Sequence, residues 1–151
     1  MSSRHAALRR GRISLPGQLY LLTATTVERQ PLFSDFHLAC TAARTFSDPC
    51  LLNDARLLAW VLMPDHVHWL VSLGECFSLE ELVLRLKSAS ARRVNAIRNT
   101  KGAVWAPAYH DHALRAEEDV QAVARYIVAN PLRAGLVKRA GDYSFWDAVW
   151  L

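Results

Sequence analysis

Two histidines one residue apart, His66 and His68, stand in the run MPDHVHWLV (63–71), which is otherwise mostly apolar. Side chains alternate across a strand, so both imidazoles share one side while Val67, Trp69 and Val71 take the other. Neutral imidazoles at i and i+2 can converge on one metal ion. The same pair can hydrogen-bond to neighbours or water, and H-x-H spacing alone does not choose. A second pair follows in RYIVANP: Tyr126 and Asn130, four apart, are neighbours on a helix surface, so a phenol and an amide face a common site. At about 100° per residue, Val120, Val123, Ala124, Ile127 and Val128 form one apolar stripe. Tyr126 falls roughly 130° from its centre and Asn130 about 90° away on the same flank, by the same helical geometry. A boundary tyrosine that wets its hydroxyl, and an asparagine that ends a helix before Pro131, are the alternatives.

The elements that position these groups are legible in outline. QLYLLTATT (18–26), after Pro16-Gly17, reads as a strand. SDFHLACTAARTFS (34–47) has helical spacing and stops before Pro49. ARLLAWVLM (55–63) and HVHWLVSL (66–73), joined by Pro64-Asp65, predict an antiparallel hairpin. Ser78 with Glu81 forms a capping box that opens a helix over 79–98. Residues 99–108 read as a loop around a short strand that leads to YHDHALR (109–115), and 117–130 as a helix beginning with acids and ending at Pro131. This order predicts an α+β, ferredoxin-like (RRM-like) antiparallel sheet with helices on one face and the histidine pair on the open face.

Composition bounds the class. The 151 residues, 52% hydrophobic and 21% charged, suit a single domain over 1–151, with a basic N-terminal arm (1–16) and an aromatic C-terminal tail (138–151). Net charge is +4, and the basic residues cluster at Arg4, Arg9, Arg10 and Arg12 and again at Lys87, Arg92, Arg93, Arg98 and Lys101. Such clusters suit phosphate backbones as well as a solvated surface. Cys40, Cys50 and Cys76 form no disulfide framework, and no run reaches membrane-spanning length, so a cytoplasmic protein without membrane attachment is expected.

MPDHVHWLV, then LKSASARR, YHDHALR and RYIVANPLRAGLV, resembles the single-tyrosine HUH transposases, most closely the REP-associated tyrosine transposases, from about residue 8 to the C-terminus. The resemblance implies a metal-dependent enzyme that nicks and rejoins single-stranded DNA. His66 and His68 match the pair that binds Mg²⁺ or Mn²⁺, Tyr126 the nucleophile, and Asn130 the position that supplies a third polar ligand, often glutamine. The partner implied is a palindromic hairpin of the REP type, bound by a monomer. The ion would polarise the scissile phosphate, and Tyr126 would form a 5′-phosphotyrosine link and release a 3′-hydroxyl. A free phenol ionises only near pH ~10, so the nucleophile needs activation.

For DNA contacts the candidates are Arg9, Arg10 and Arg12 in the arm, Lys87, Arg92 and Arg93 on the second helix, and Arg115 and Arg133 beside the nucleophile's helix. The resemblance also puts Asp111 and His112 near the active site, positioning DNA or the histidine ligands rather than binding metal. One rival reading is a non-catalytic, domesticated hairpin-binding protein. Another is a histidine-motif nucleotide hydrolase, which loses on spacing: a histidine triad needs a third histidine where Leu70 stands, and an H-x-H-x-D-H zinc site fails at Leu70-Val71.

Overall fold

The structure, a computed structural model, describes residues 15–116 and 118–150. Its centre is a five-stranded sheet, β1 (Leu19–Thr25), β2 (Arg56–Met63), β3 (His66–Ser72), β4 (His110–Ala113) and β5 (Trp146–Ala148), in the order β4-β1-β3-β2-β5. Every pairing is antiparallel. The helices are α1 (Phe36–Phe46), α2 (Pro49–Leu52), α3 (Leu79–Arg98), α4 (Val120–Val128) and α5 (Asn130–Arg133). The α+β class and the antiparallel sheet are as the sequence predicts. Among the described residues no helix is long and apolar enough to cross a membrane.

Strand alternation gives the sheet two apolar faces. On one, Tyr20, Leu22, Val67, Trp69 and Val71 pack with Ala42 and Phe46 of α1 and Leu82 and Leu86 of α3. The Ser78–Glu81 capping box fixes the start of α3 as expected. On the other, Leu70, Val61 and Met63 pack with Ala124, Ile127 and Val128 of α4. His66 and His68 belong to this second face, in register beside Met63 and Val61 of β2 and Thr25 and Thr23 of β1.

Helices therefore do not lie on one face alone. The first two long helices do, but α4 crosses the histidine face, because Val61, Met63 and Leu70 leave there an apolar strip that its stripe covers. On that face His66 and His68 stay half-buried, and on β4 His110 and His112 are exposed.

Three local features depart from the expected elements. The chain does not stop at Pro131: Ala129 stays right-handed (φ −81°, ψ −3°), and α5 begins at once with proline in its first turn, where the missing N–H costs nothing. The short strand expected in 99–108 is a single bridge, Thr26 to Trp105. The tail does more than pack its aromatics, since 146–148 adds β5 to the edge of β2 and Tyr143 donates to the Leu62 carbonyl (2.6 Å).

Candidate active site

The two imidazoles are held from behind. His68 Nδ1 lies 2.7 Å from Thr23 Oγ1 on the neighbouring strand, and His66 Nδ1 lies 2.8 Å from Asp65 Oδ1 in the hairpin turn. With each Nδ1 engaged by the protein, Nε2 is the remaining nitrogen of each ring. The ring centroids are 5.0 Å apart, edge to face. Burial, the neighbouring His66 and the charge of Arg133 together push the His68 pKa down to about 4, so its ring is neutral at ordinary pH. Burial raises the carboxyl of Asp65, but the bond to His66 and the Arg29 guanidinium outweigh it, leaving the group below its ordinary value.

Imidazoles whose rings are fixed in this way suit a divalent transition metal. Among the described residues no three His, Cys, Asp or Glu side chains converge on a metal position. A third protein ligand would have to be of another type, and the half-buried amide of Asn130 is of that type.

The nucleophile candidate stands on α4. Its N-cap, Asp119, accepts from the backbone N–H groups of Gln121 and Ala122, and its apolar stripe anchors it over β2. Tyr126 is 63% exposed, as an off-stripe position should be. Because the backbone continues helically into α5, Tyr126, Asn130 and Arg133 follow one another at i, i+4 and i+7, along one line of the surface. The Arg133 guanidinium lies 3.9 Å above the centroid of the Tyr126 ring. The same charge is felt by His68. One cation thus stacks on the phenol ring and acts electrostatically on His68.

The remaining basic candidates divide. Arg9, Arg10 and Arg12 lie outside the described residues. Lys87 donates to the carbonyls of Ala106 (2.7 Å) and Pro107 (3.4 Å), and Arg93 reaches Thr45 Oγ1 (3.2 Å) and Asp48 Oδ2 (3.0 Å). Both heads brace α3 against its surroundings, and α3 covers the face opposite the histidines. Arg92, on the same helix, and Arg115, ahead of α4, are exposed.

The polar group of β4 splits between the faces. Register sets His110 opposite Thr23 and His112 opposite Leu21, which puts both on the histidine face, and His112 Nε2 is 3.0 Å from Glu118 Oε1. Asp111 lies opposite Leu22, on the α1/α3 face, so it does not orient the histidine ligands; strand alternation sends it the other way. Asp65 takes that place. Sequence reasoning missed Asp65, Thr23 and Arg29, although the D-H-x-H string itself contained a carboxylate beside the first histidine.

Comparison with known proteins follows the same residues. Positions 17–130, which include His66, His68, Tyr126 and Asn130, match a family model described as "Transposase IS200 like". The chain is 29% identical over 89 residues to a REP-associated tyrosine transposase of Escherichia coli (strain K12), covering 58% of this chain and 50% of that one, so it spans half of that relative's length. Among solved structures it is similar to a REP-associated tyrosine transposase bound to a REP hairpin, with a TM-score of 0.66, 23% identity, and coverage of 89% of this chain and 79% of that one. It is also similar to a protein from Deinococcus radiodurans R1 assigned as a transposase, with a TM-score of 0.55, 25% identity, and coverage of 79% and 95%.

Proposed function

The chain belongs to the IS200-like transposase family, and on that premise we propose that it binds palindromic hairpin DNA and cleaves an adjacent single strand through Tyr126. One observation carries the reading. Arg133 brings a single positive charge against the Tyr126 ring and within influence of His68, on the sheet face where both Nδ1 atoms are already satisfied.

The roles follow from the groups. His66 and His68 would hold a divalent ion, Mn²⁺ or Mg²⁺, through their free ring nitrogens, and the Asn130 amide would supply a third ligand. When bound, the ion polarises the scissile phosphate and offsets charge on its oxygens. Arg133 supplies a second cation for the same phosphate. The Tyr126 phenol gives up its proton and forms a bond to phosphorus; the bond from phosphorus to the 3′-oxygen breaks, and that oxygen takes up a proton. A 5′-phosphotyrosine and a free 3′-hydroxyl result, and attack by the hydroxyl reverses the step to join strands. The cytoplasm and a monomeric state complete the reading.

Labelled single-stranded DNA carrying a palindrome, incubated with the protein and Mn²⁺, should give a covalent adduct stable to denaturation. Tyr126→Phe should abolish the adduct and leave hairpin binding within about twofold, because the ring and its contact with Arg133 remain. Wild-type protein that binds its hairpin and never forms the adduct would favour the non-catalytic binding module instead.

A further inference from the structure

The turn that carries Asp65 is gripped by a segment outside the site. Thr26, 1% exposed at the end of β1, donates both its N–H (2.9 Å) and its hydroxyl (3.1 Å) to the Asp65 carbonyl. The same hydroxyl reaches the Gln30 carbonyl at 2.7 Å, closing the short 3₁₀ turn Val27–Arg29. Within that turn two consecutive residues that are not glycine, Glu28 (φ 54°) and Arg29 (φ 55°), adopt the left-handed conformation. L-residues visit it at a cost, and a pair of them persists only where the surroundings hold it.

What the turn delivers is the Arg29 guanidinium, with Nε 3.1 Å from Asp65 Oδ2. The other oxygen of that carboxylate holds His66 Nδ1. A carboxylate bonded on one side only can pivot about its terminal torsion, which is broad. Bonded on both sides, it presents one fixed acceptor to the imidazole. An acceptor at Nδ1 keeps the proton there and leaves the lone pair on Nε2.

We propose that Arg29 and Asp65 are positioning residues for the metal seat: the left-handed turn aims the guanidinium, the guanidinium fixes the carboxylate, and the carboxylate sets the plane and tautomer of His66. This rests on the metal-dependent reading above. The alternative is a brace that only ties the 27–29 turn to the β2–β3 hairpin. An ion pair whose arginine side chain is 59% exposed contributes little to stability on its own, so the two roles predict different things.

The experiment compares wild type with Arg29→Gly, Arg29→Lys and Asp65→Ala. It uses long-range ¹H–¹⁵N spectra of the metal-free protein to read the His66 tautomer, Mn²⁺ titration to read affinity, and thermal melts. Wild type should show the proton on Nδ1 alone. Asp65→Ala should lose that preference and bind Mn²⁺ about 10- to 100-fold more weakly. Arg29→Gly, which removes the backbone strain along with the guanidinium, should melt no lower than wild type yet bind Mn²⁺ several-fold more weakly, and Arg29→Lys should recover part of that loss. If Asp65→Ala does not fold, the two Arg29 variants still decide the matter. Variants that keep the tautomer and bind Mn²⁺ within about twofold of wild type overturn this proposal alone. Wild-type protein with the fixed tautomer that binds no Mn²⁺ at millimolar concentration overturns the metal reading and this proposal with it.

Discussion

Arg133 is the residue on which the candidate site turns, since it stacks on Tyr126 and adds to the lowering of the His68 pKa that burial and His66 produce. If it stabilises the phosphate, Arg133→Ala should lower the rate of adduct formation by about 10- to 100-fold at unchanged melting temperature. Arg133→Lys should recover part of the rate, because charge returns without the planar stack. Equal rates for the alanine variant and wild type would remove Arg133 from the chemistry. His68 makes a second prediction, about acid. Its folded pKa of about 4 lies below the unfolded value, so the stability it contributes is present above pH ~6.5 and is lost as pH falls through about 4. In metal-free protein, urea unfolding at pH 7 and pH 4 should differ by up to roughly 3 kcal/mol more in wild type than in His68→Gln. A variant with the same pH dependence as wild type would show that His68 is not the group responsible.

Among the elements, α4 is the one whose stability sets the position of Tyr126, the proposed nucleophile. It has only nine residues and depends on Asp119, whose carboxylate caps two N–H groups. Asp119→Ala should cost about 1 kcal/mol, measured by chemical denaturation, and should slow adduct formation more than hairpin binding. If binding falls as much as cleavage, the helix is serving DNA contact instead. The sequence made some of this legible and not the rest, for physical reasons. The capping box and long stripe mark α3 unambiguously because those signals are local. The stripe of α4 was equally plain, but an apolar stripe does not say which face of a sheet it will cover, and this one takes the histidine face. Three residues, Trp146–Ala148, are a strand only because β2 offers an unpaired edge. The pairing of Arg29 with Asp65 spans 36 positions and needs two left-handed residues, neither of which a spacing rule can reveal. That His66 and His68 share one side of β3, and that Tyr126 lies off the apolar stripe of α4, was legible because each lies on a regular element whose period sets the relative direction of its side chains.

At the scale of the molecule the sheet separates two sets of contacts. The α1/α3 face holds the larger cluster, with Trp69, Phe46, Leu82 and Leu86 fully buried. It also carries the braced cations Lys87 and Arg93, so a DNA path that used both them and Tyr126 would have to pass round the edge of the sheet. The α4 face rests on fewer and smaller residues, chiefly Ala124, Ile127 and Val128 against Leu70, Val61 and Met63. Cooperative units follow buried apolar contact, and the two faces need not open together. Native-state hydrogen exchange should therefore find two classes of amide. Those of α3 and the central strands should exchange only with global unfolding, and those of α4 through a cheaper opening that hairpin DNA and Mn²⁺ suppress. Equal opening free energies for α3 and α4 would contradict this. On the proposed reading, the histidines sit in the part of the fold that opens last and the tyrosine in the part that opens first, so a DNA end joined to Tyr126 would travel with α4 while the sheet that holds the imidazoles stays closed.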